Sequence, residues 1–409
     1  MVMKIIFFTI VAFFTTSHGI CQTPLSSDQS SNTKQHILIL CLTTNKGGIL
    51  SHCFNLYSIM EALHLNPVII INSAAKEALH KANLINARYI QYKPIKVANK
   101  KKLTNEQACL SEHFKTFVID VSKDYKAKLI HANLPWELPG LASIKKVFPI
   151  KIIYTIHDDN RGWQKDIALC DAIMCTSNIT TDILKKNPSL LHIPIFFTPP
   201  SFDEQSYLNF TPTTNKTAFF NQFNIGLKER LVCTIPSNFY PCKNQQIAIK
   251  ALDVLIHEKK LPICLMLAGY GHSKSTCELL VKKLNLANHV YFLGYVADIK
   301  SLLYHSDIII NSSEREAFSI ALLEASALKK PIIAPFDTGT NALIKNNQTG
   351  LLFHSSQASE LADCIAAYTQ NVVLRNKMAQ QCHDFMLNNF TYAHNLESTK
   401  NIHQTLKTI

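Results

Sequence analysis

The chain has 409 residues, 47% of them hydrophobic and 17% charged, with 41 basic side chains against 29 acidic ones and a net charge of +12. That balance describes a globular protein with material for two or three domains and excludes a long disordered tract. The positive excess favours anionic partners such as nucleotides, phosphates or an acidic membrane surface, while the absence of a recognisable basic reading module argues against nucleic acid.

In chain order, Lys4 precedes an apolar run from Ile5 to Phe14 and small residues ending at Gly19. Residues 1–19 therefore read as a secretory signal peptide, too short for a comfortable membrane span, and 20–33 as a polar, Ser-rich linker. The twelve cysteines point elsewhere. None forms a C-x2-C pair, and Cys41, Cys175, Cys233 and Cys264 lie inside apolar runs, as buried thiols of a reducing compartment do. Localisation thus has two readings: cytoplasmic or inner-membrane-associated, or exported.

His36 to Leu42 is a continuous apolar run of the kind buried in a parallel sheet. A turn containing Gly47 and Gly48 follows, then a helical pattern through Leu56, Met60 and Leu63. Strand, glycine turn and helix together present backbone N–H groups to a phosphate, although a plain tight turn has the same spelling. Pro67 to Ile71 is the next strand. Lys93, Lys96, Lys100, Lys101 and Lys102 form either a solvated face or a patch that touches an anionic membrane. Two apolar runs, Leu129 to Asn133 and Ile152 to Asp159, carry histidines at their ends, His131 and His157; such residues are commonly structural. Asp158 and Asp159 would orient the His157 ring or raise its pKa. Ile193 to Asp203 is proline-rich and reads as a stiff crossing between domains.

A second strand–turn alternation opens at Leu231 and runs through Gly269, Gly271 and Gly294 to the stretch from Asn311 to Phe353. There a strand at Asp307–Ile310 enters a polar turn, and a helix is predicted from Phe318 to Leu328 with Ile320, Leu323 and Ala327 on one face. Lys329, Lys330 and Pro331 end it, and a strand at Ile332–Ala334 follows. Glu316 and Glu324 stand eight residues apart, roughly 12 Å if all the intervening residues were helical. Paired glycosidase carboxylates lie about 5 to 9.5 Å apart, so the spacing suits two ends of an extended ligand better. Ser319 as a helix cap would leave free N–H groups for a diphosphate; a capped surface helix with two solvated acids is the plainer reading.

The segment Glu316-Ala-Phe-Ser-Ile-Ala-Leu-Leu-Glu324 resembles the E-x7-E motif of the retaining glycosyltransferases of family 4. Gly294-Tyr-Val, Tyr304-His-Ser-Asp307 and Thr349-Gly-Leu-Leu resemble that family too, and the similarity is strongest from Leu231 to Phe353. The resemblance implies an α/β GT-B fold: two Rossmann-like, doubly wound domains facing a central cleft. The acceptor-side domain would cover 34–203 and the nucleotide-sugar domain 204–387, with a last helix in 388–409 returning to the first domain. It implies a hexosyltransferase-type enzyme that moves a sugar, with retention, from a nucleotide sugar to a glycan or lipid-linked acceptor in polysaccharide or glycolipid synthesis. No metal or other cofactor is implied.

Residue roles follow from the same resemblance. Lys243 would hold the donor diphosphate, with Asn238 at the place of the family's arginine, Ser237 at that of its glycine, and the helix start at Ser319 beside them. Gly47 and Gly48 would lie near the donor phosphate, Glu324 on the ribose, and Glu316 and His157 on the transferred sugar. The chain departs from the pattern at Asn238, at Pro200-Ser201 in the crossing, and at Asp337-Thr-Gly339-Thr-Asn341, where Ala342 replaces a glutamate. The departures at Asn238 and the Gly339 turn keep open a non-catalytic protein that binds sugar nucleotides or glycans; a nucleotide-sugar epimerase on the same fold is disfavoured, because E-x7-E is not its usual signature.

Overall fold

The computed structural model describes residues 21–22, 36–42, 48–72, 87–92, 111–157, 164–200 and 202–406. The signal-like segment 1–19, nearly all of the 20–33 linker, Gly47, the lysines from 93 to 102, Asp158, Asp159 and Ser201 lie outside the described residues.

Two sheets organise the chain. The first holds β1 (Cys21–Gln22), β2 (Ile37–Cys41), β3 (Pro67–Ile71), β4 (Tyr89–Gln91), β5 (Leu129–Ala132), β6 (Lys151–Ile156), β7 (Ala172–Cys175) and β8 (Ile195–Phe197). Their spatial order is β1-β4-β3-β2-β5-β6-β7-β8, parallel except for the edge pair of β1 with β4. The second sheet holds β9 (Leu231–Pro236), β10 (Ile263–Ala268), β11 (Val290–Gly294), β12 (Ile308–Ile310), β13 (Ile332–Pro335) and β14 (Leu351–Phe353). It runs β11-β10-β9-β12-β13-β14, parallel throughout. This is the doubly wound order, in which the chain starts in the middle, builds to one side, returns and builds to the other.

The apolar runs become these strands because a parallel sheet covered on both faces has no solvent side. Successive side chains alternate between two cores. In β2, Leu38 and Leu40 enter the core on one face, while Ile37, Ile39 and Cys41 enter that on the other. In the second sheet, Ile308 and Ile310 share one core with Cys233 and Ile235, while Ile309 packs with Leu323 and Ile332 on the opposite face. Every cysteine with a described side chain is a free thiol, and most of these thiols are buried.

The chain crosses between the sheets after β8. It crosses back at its end, where the helix Tyr392–Thr405 places Ile402 and Leu406 in the core under the first sheet. Lys151 Nζ donates to the Leu406 carbonyl at 2.6 Å. The outgoing and returning segments are bonded to each other: Tyr392 N–H donates to Glu204 at 3.1 Å, and the Asn395 amide donates to the Pro199 carbonyl. Among the described residues, no helix is long and apolar enough to cross a membrane.

Candidate functional site

In a doubly wound sheet the crevice opens where the winding reverses, beyond the carboxyl ends of the strands. Those points fall between β2 and β5 and between β9 and β12. Residues that follow these strands line one cleft of about 400 Å³. The first domain supplies Ile49, His52, Leu134, Trp136, His157 and Thr176. The second supplies Ser237, Asn238, Tyr240, Lys243 and Tyr270, then Asn311, Ser312, Glu316 and the helix start from Phe318 to Leu322.

On the second-domain wall the structure joins two residues to which the resemblance gives different roles. Lys243 Nζ lies 2.6 Å from Glu316 Oε2, in a half-buried ion pair. Asn311 Nδ2 at 3.3 Å and Ser313 Oγ at 3.1 Å donate to the same oxygen. The Ser312 hydroxyl donates to the Lys243 carbonyl at 2.7 Å, so the loops after β9 and β12 are bonded together. Lys243 is the only lysine or arginine among the described residues that line the cleft. Its charge is answered by Glu316.

The glycine of the 337–341 turn has a spatial reason. Gly339 N–H donates to the Glu316 carbonyl at 2.8 Å. A Cβ at 339 would stand 1.9 Å from the Ala317 carbonyl oxygen, which no side chain tolerates. The turn therefore still fixes the backbone under Glu316, despite its altered spelling.

Asn238 lines the cleft, and its side-chain oxygen is committed. Its Oδ1 accepts the Tyr270 N–H at 3.2 Å, and its carbonyl accepts from Gln245 Nε2 at 3.0 Å. Gly269 and Gly271 let the two loops touch, since Cβ atoms there would come within 2.3 Å of the Ser237 and Phe239 carbonyl oxygens. The position expected for a phosphate-binding arginine thus holds a loop in place.

The helix after Glu316 runs from Ile320 to Ala327, starting later than the pattern predicts. Ser319 is at the cap position, yet its side chain makes no capping bond, which corrects the expectation of a serine cap. No acid occupies the first turn, and the helix start lines the cleft with its N–H groups open to an anion. Glu324 does not line the cleft. Its Oε1 accepts the Tyr207 hydroxyl at 2.6 Å, and burial pushes its carboxyl up to about 7, against the lowering effect of Tyr207 and Lys300. Tyr207 belongs to the crossing segment, with the Lys300 ammonium 4.7 Å from its ring centre.

Gly48 opens the helix Gly48–Ala62, whose first turn likewise carries no acid and whose Ile49 and His52 line the first-domain wall. His157 follows β6, and its Nε2 lies 3.3 Å from Asn133 Oδ1. The His52 ring meets it edge to face, centroids 4.6 Å apart. Burial lowers His157 well below the usual histidine range, with His52 adding to the shift, and lowers His52 to about 4. Both rings are neutral at pH 7. Glu137 holds the segment that carries Asn133: wholly buried, its Oε2 accepts the N–H groups of Asn133 at 2.8 Å and Leu134 at 3.0 Å. Burial pushes its carboxyl up to about 7.

The cleft thus brings together His157, Lys243, Glu316, Asn238 and the Ser319 helix start, and leaves Glu324 behind the wall. His52, Trp136, Tyr270 and Glu137 were not singled out from the sequence. His52 had one available signal, lying one helical turn beyond Gly48 and so on the same face as the helix start. Among the described residues, no three of His, Cys, Asp and Glu are placed to hold a metal ion.

Residues 215–384 match the family model for glycosyl transferases group 1. The N-acetyl-alpha-D-glucosaminyl L-malate synthase of Bacillus anthracis is 26% identical over 247 residues, 59% of this chain and 64% of that protein. The UDP-Gal:alpha-D-GlcNAc-diphosphoundecaprenol alpha-1,3-galactosyltransferase of Escherichia coli is 24% identical over 56% of this chain and 59% of its own length. The chain therefore spans less than two thirds of either relative. Among solved structures, a glycosyltransferase of Rickettsia africae superimposes with a TM-score of 0.74 at 20% identity, covering 91% of this chain and 98% of that one. Anabaena HepE in complex with UDP gives 0.73 at 19%, covering 92% and 100%. The fold is that of the GT-B glycosyltransferases, and the matched relatives are glycosyltransferases.

Proposed function

We propose that this protein is a retaining glycosyltransferase of the family 4 type, transferring a hexose-type sugar from a UDP-sugar to a glycan or lipid-linked acceptor. The observation that carries the reading is the Lys243–Glu316 pair at one switch point, sharing a cleft with His157 from the other domain. The Escherichia coli relative is named for UDP-Gal and a diphosphoundecaprenol acceptor, and HepE is known bound to UDP and UDP-glucose, which supports both halves of the substrate assignment.

In this reading Lys243 and the helix starts at Gly48 and Ser319 receive the diphosphate. As the bond from the anomeric carbon to the phosphate oxygen breaks, its electron pair moves onto the diphosphate, where these groups stabilise it. The acceptor hydroxyl attacks from the departing face and passes its proton to the leaving oxygen, so configuration is kept. Glu316, released from Lys243, binds hydroxyls of the transferred sugar with His157. Sugar and diphosphate meet groups from both domains, so closure assembles the site.

Calorimetry with UDP and turnover of UDP-sugars test this. Lys243→Gln should lose about 1.5 to 3 kcal/mol of UDP affinity, the range for a hydrogen bond to a charged group. Glu316→Gln frees Lys243, so UDP should bind equally well or more tightly while turnover falls by ~10²-fold. Wild-type protein that binds no nucleoside diphosphate would sink the reading, and a product of inverted configuration would remove retention. The second reading, a non-catalytic binder, draws on Asn238 standing in place of arginine with its side-chain oxygen tied to the Tyr270 N–H, and predicts UDP-sugar binding without turnover.

A further inference from the structure

His52 is 3% exposed, and neither of its ring nitrogens has a hydrogen-bond partner. Buried polar atoms are nearly always paired, so an unanswered imidazole in a cleft wall marks a place that a ligand completes. Position separates it from His131, whose nitrogens are equally unanswered but which lies within β5 and does not line the cleft. The neighbouring ring has its proton assigned by geometry. Asn133 Nδ2 donates to the Leu40 carbonyl at 2.9 Å, which turns Oδ1 toward His157. Since Oδ1 can only accept, His157 carries its proton on Nε2, and its Nδ1 is left as an acceptor.

We propose that His52 is a sugar-binding residue that takes a hydroxyl in the cleft beside the Nδ1 of His157, with Asn133 as the positioning residue that sets the His157 tautomer. This rests on the transferase reading. A hydroxyl fits because it donates and accepts at once, as a neutral imidazole does, and needs no charge on the ring. Burial keeps both rings uncharged, which suits a hydroxyl better than a phosphate. The hydroxyl belongs either to the transferred sugar or to the acceptor sugar.

The test uses the full chain and three probes: UDP, the tightest-binding of UDP-glucose, UDP-galactose and UDP-N-acetylglucosamine, and free glucose added to UDP-saturated protein. His52→Phe keeps an aromatic ring and removes both nitrogens, whereas His52→Gln keeps a donor and an acceptor. His52→Phe should bind UDP within about twofold of wild type, which also reports an intact fold, and should lose about tenfold with a sugar-bearing probe. His52→Gln should recover part of that loss. Loss with the UDP-sugar assigns the hydroxyl to the transferred sugar; loss confined to glucose assigns it to the acceptor. If wild type binds UDP and a sugar probe and His52→Phe matches it on all three, the role of His52 is overturned alone. If wild type binds neither UDP nor any UDP-sugar, the transferase reading falls and takes this inference with it. Nitrogen NMR of the histidine rings should find the His157 proton on Nε2; a proton on Nδ1 overturns the role given to Asn133.

Discussion

Position 238 shows how one side chain can line a cleft and hold a loop together. Its oxygen receives the Tyr270 N–H, and only an acceptor can do so. Asn238→Ala should cost about 1 kcal/mol of unfolding free energy, the ordinary net worth of such a bond. Asn238→Asp keeps the acceptor and should keep the stability, while its charge weakens UDP binding by repulsion near the diphosphate. Urea unfolding and UDP calorimetry on both variants check this; an alanine variant as stable as wild type would show that the bond carries no weight. At this scale the sequence was legible where a motif spells the residue, as at Glu316 and Lys243. It was silent on pairings made only in space, because nothing local couples residues 73 apart. For the same reason the unanswered nitrogens of His52 were unreadable, although its place one helical turn beyond Gly48 was a signal.

The elements themselves were mostly legible, since strands covered on both faces must be apolar throughout and β2, β3, β10 and β12 are spelt that way. The start of the helix after Glu316 was less so. Local pattern extended it to Phe318, but tertiary bonding overrides propensity there: Gly339 N–H pins the Glu316 carbonyl, and the helix begins only at Ile320. Gly339→Ala should therefore act at a distance. Its methyl group meets the Ala317 carbonyl and pushes the 316–319 segment away. We expect a loss of about 1 to 3 kcal/mol in stability, as for overpacked sites, together with a larger relative loss of turnover than of UDP binding. Thermal unfolding and steady-state kinetics measure the two. Unchanged turnover would mean that the Glu316 loop does not depend on this glycine.

Across the whole molecule, buried ionisable groups set how stability varies with pH. His52, His131, His157 and His403 are buried neutral, their pKa values lowered by burial, to about 4 for His52 and His403. The native state refuses protons that the unfolded chain accepts near 6.5, so this stabilisation is complete above pH 6.5 and is lost as pH falls toward 4. Glu137 and Glu324 work in the opposite sense. Raised to about 7, they favour the native state below their unfolded value of about 4.5 and lose that contribution as pH rises through 7. Four histidines act in the first sense and two acids in the second, so the histidines set the net direction. Urea midpoints should fall between pH 7 and pH 5, and Glu137→Gln, which removes one opposing contribution, should make the fall steeper. A midpoint that rises on acidification would show that these histidines already carry protons in the native state. The two bonded crossings between the domains have a mechanical consequence. A single linker would let one domain swing in any direction, whereas two attachments lying side by side act as the two pins of a door. Any relative movement of the two walls is therefore constrained by both crossings at once, through the bonds that join Pro199 to Asn395 and Glu204 to Tyr392.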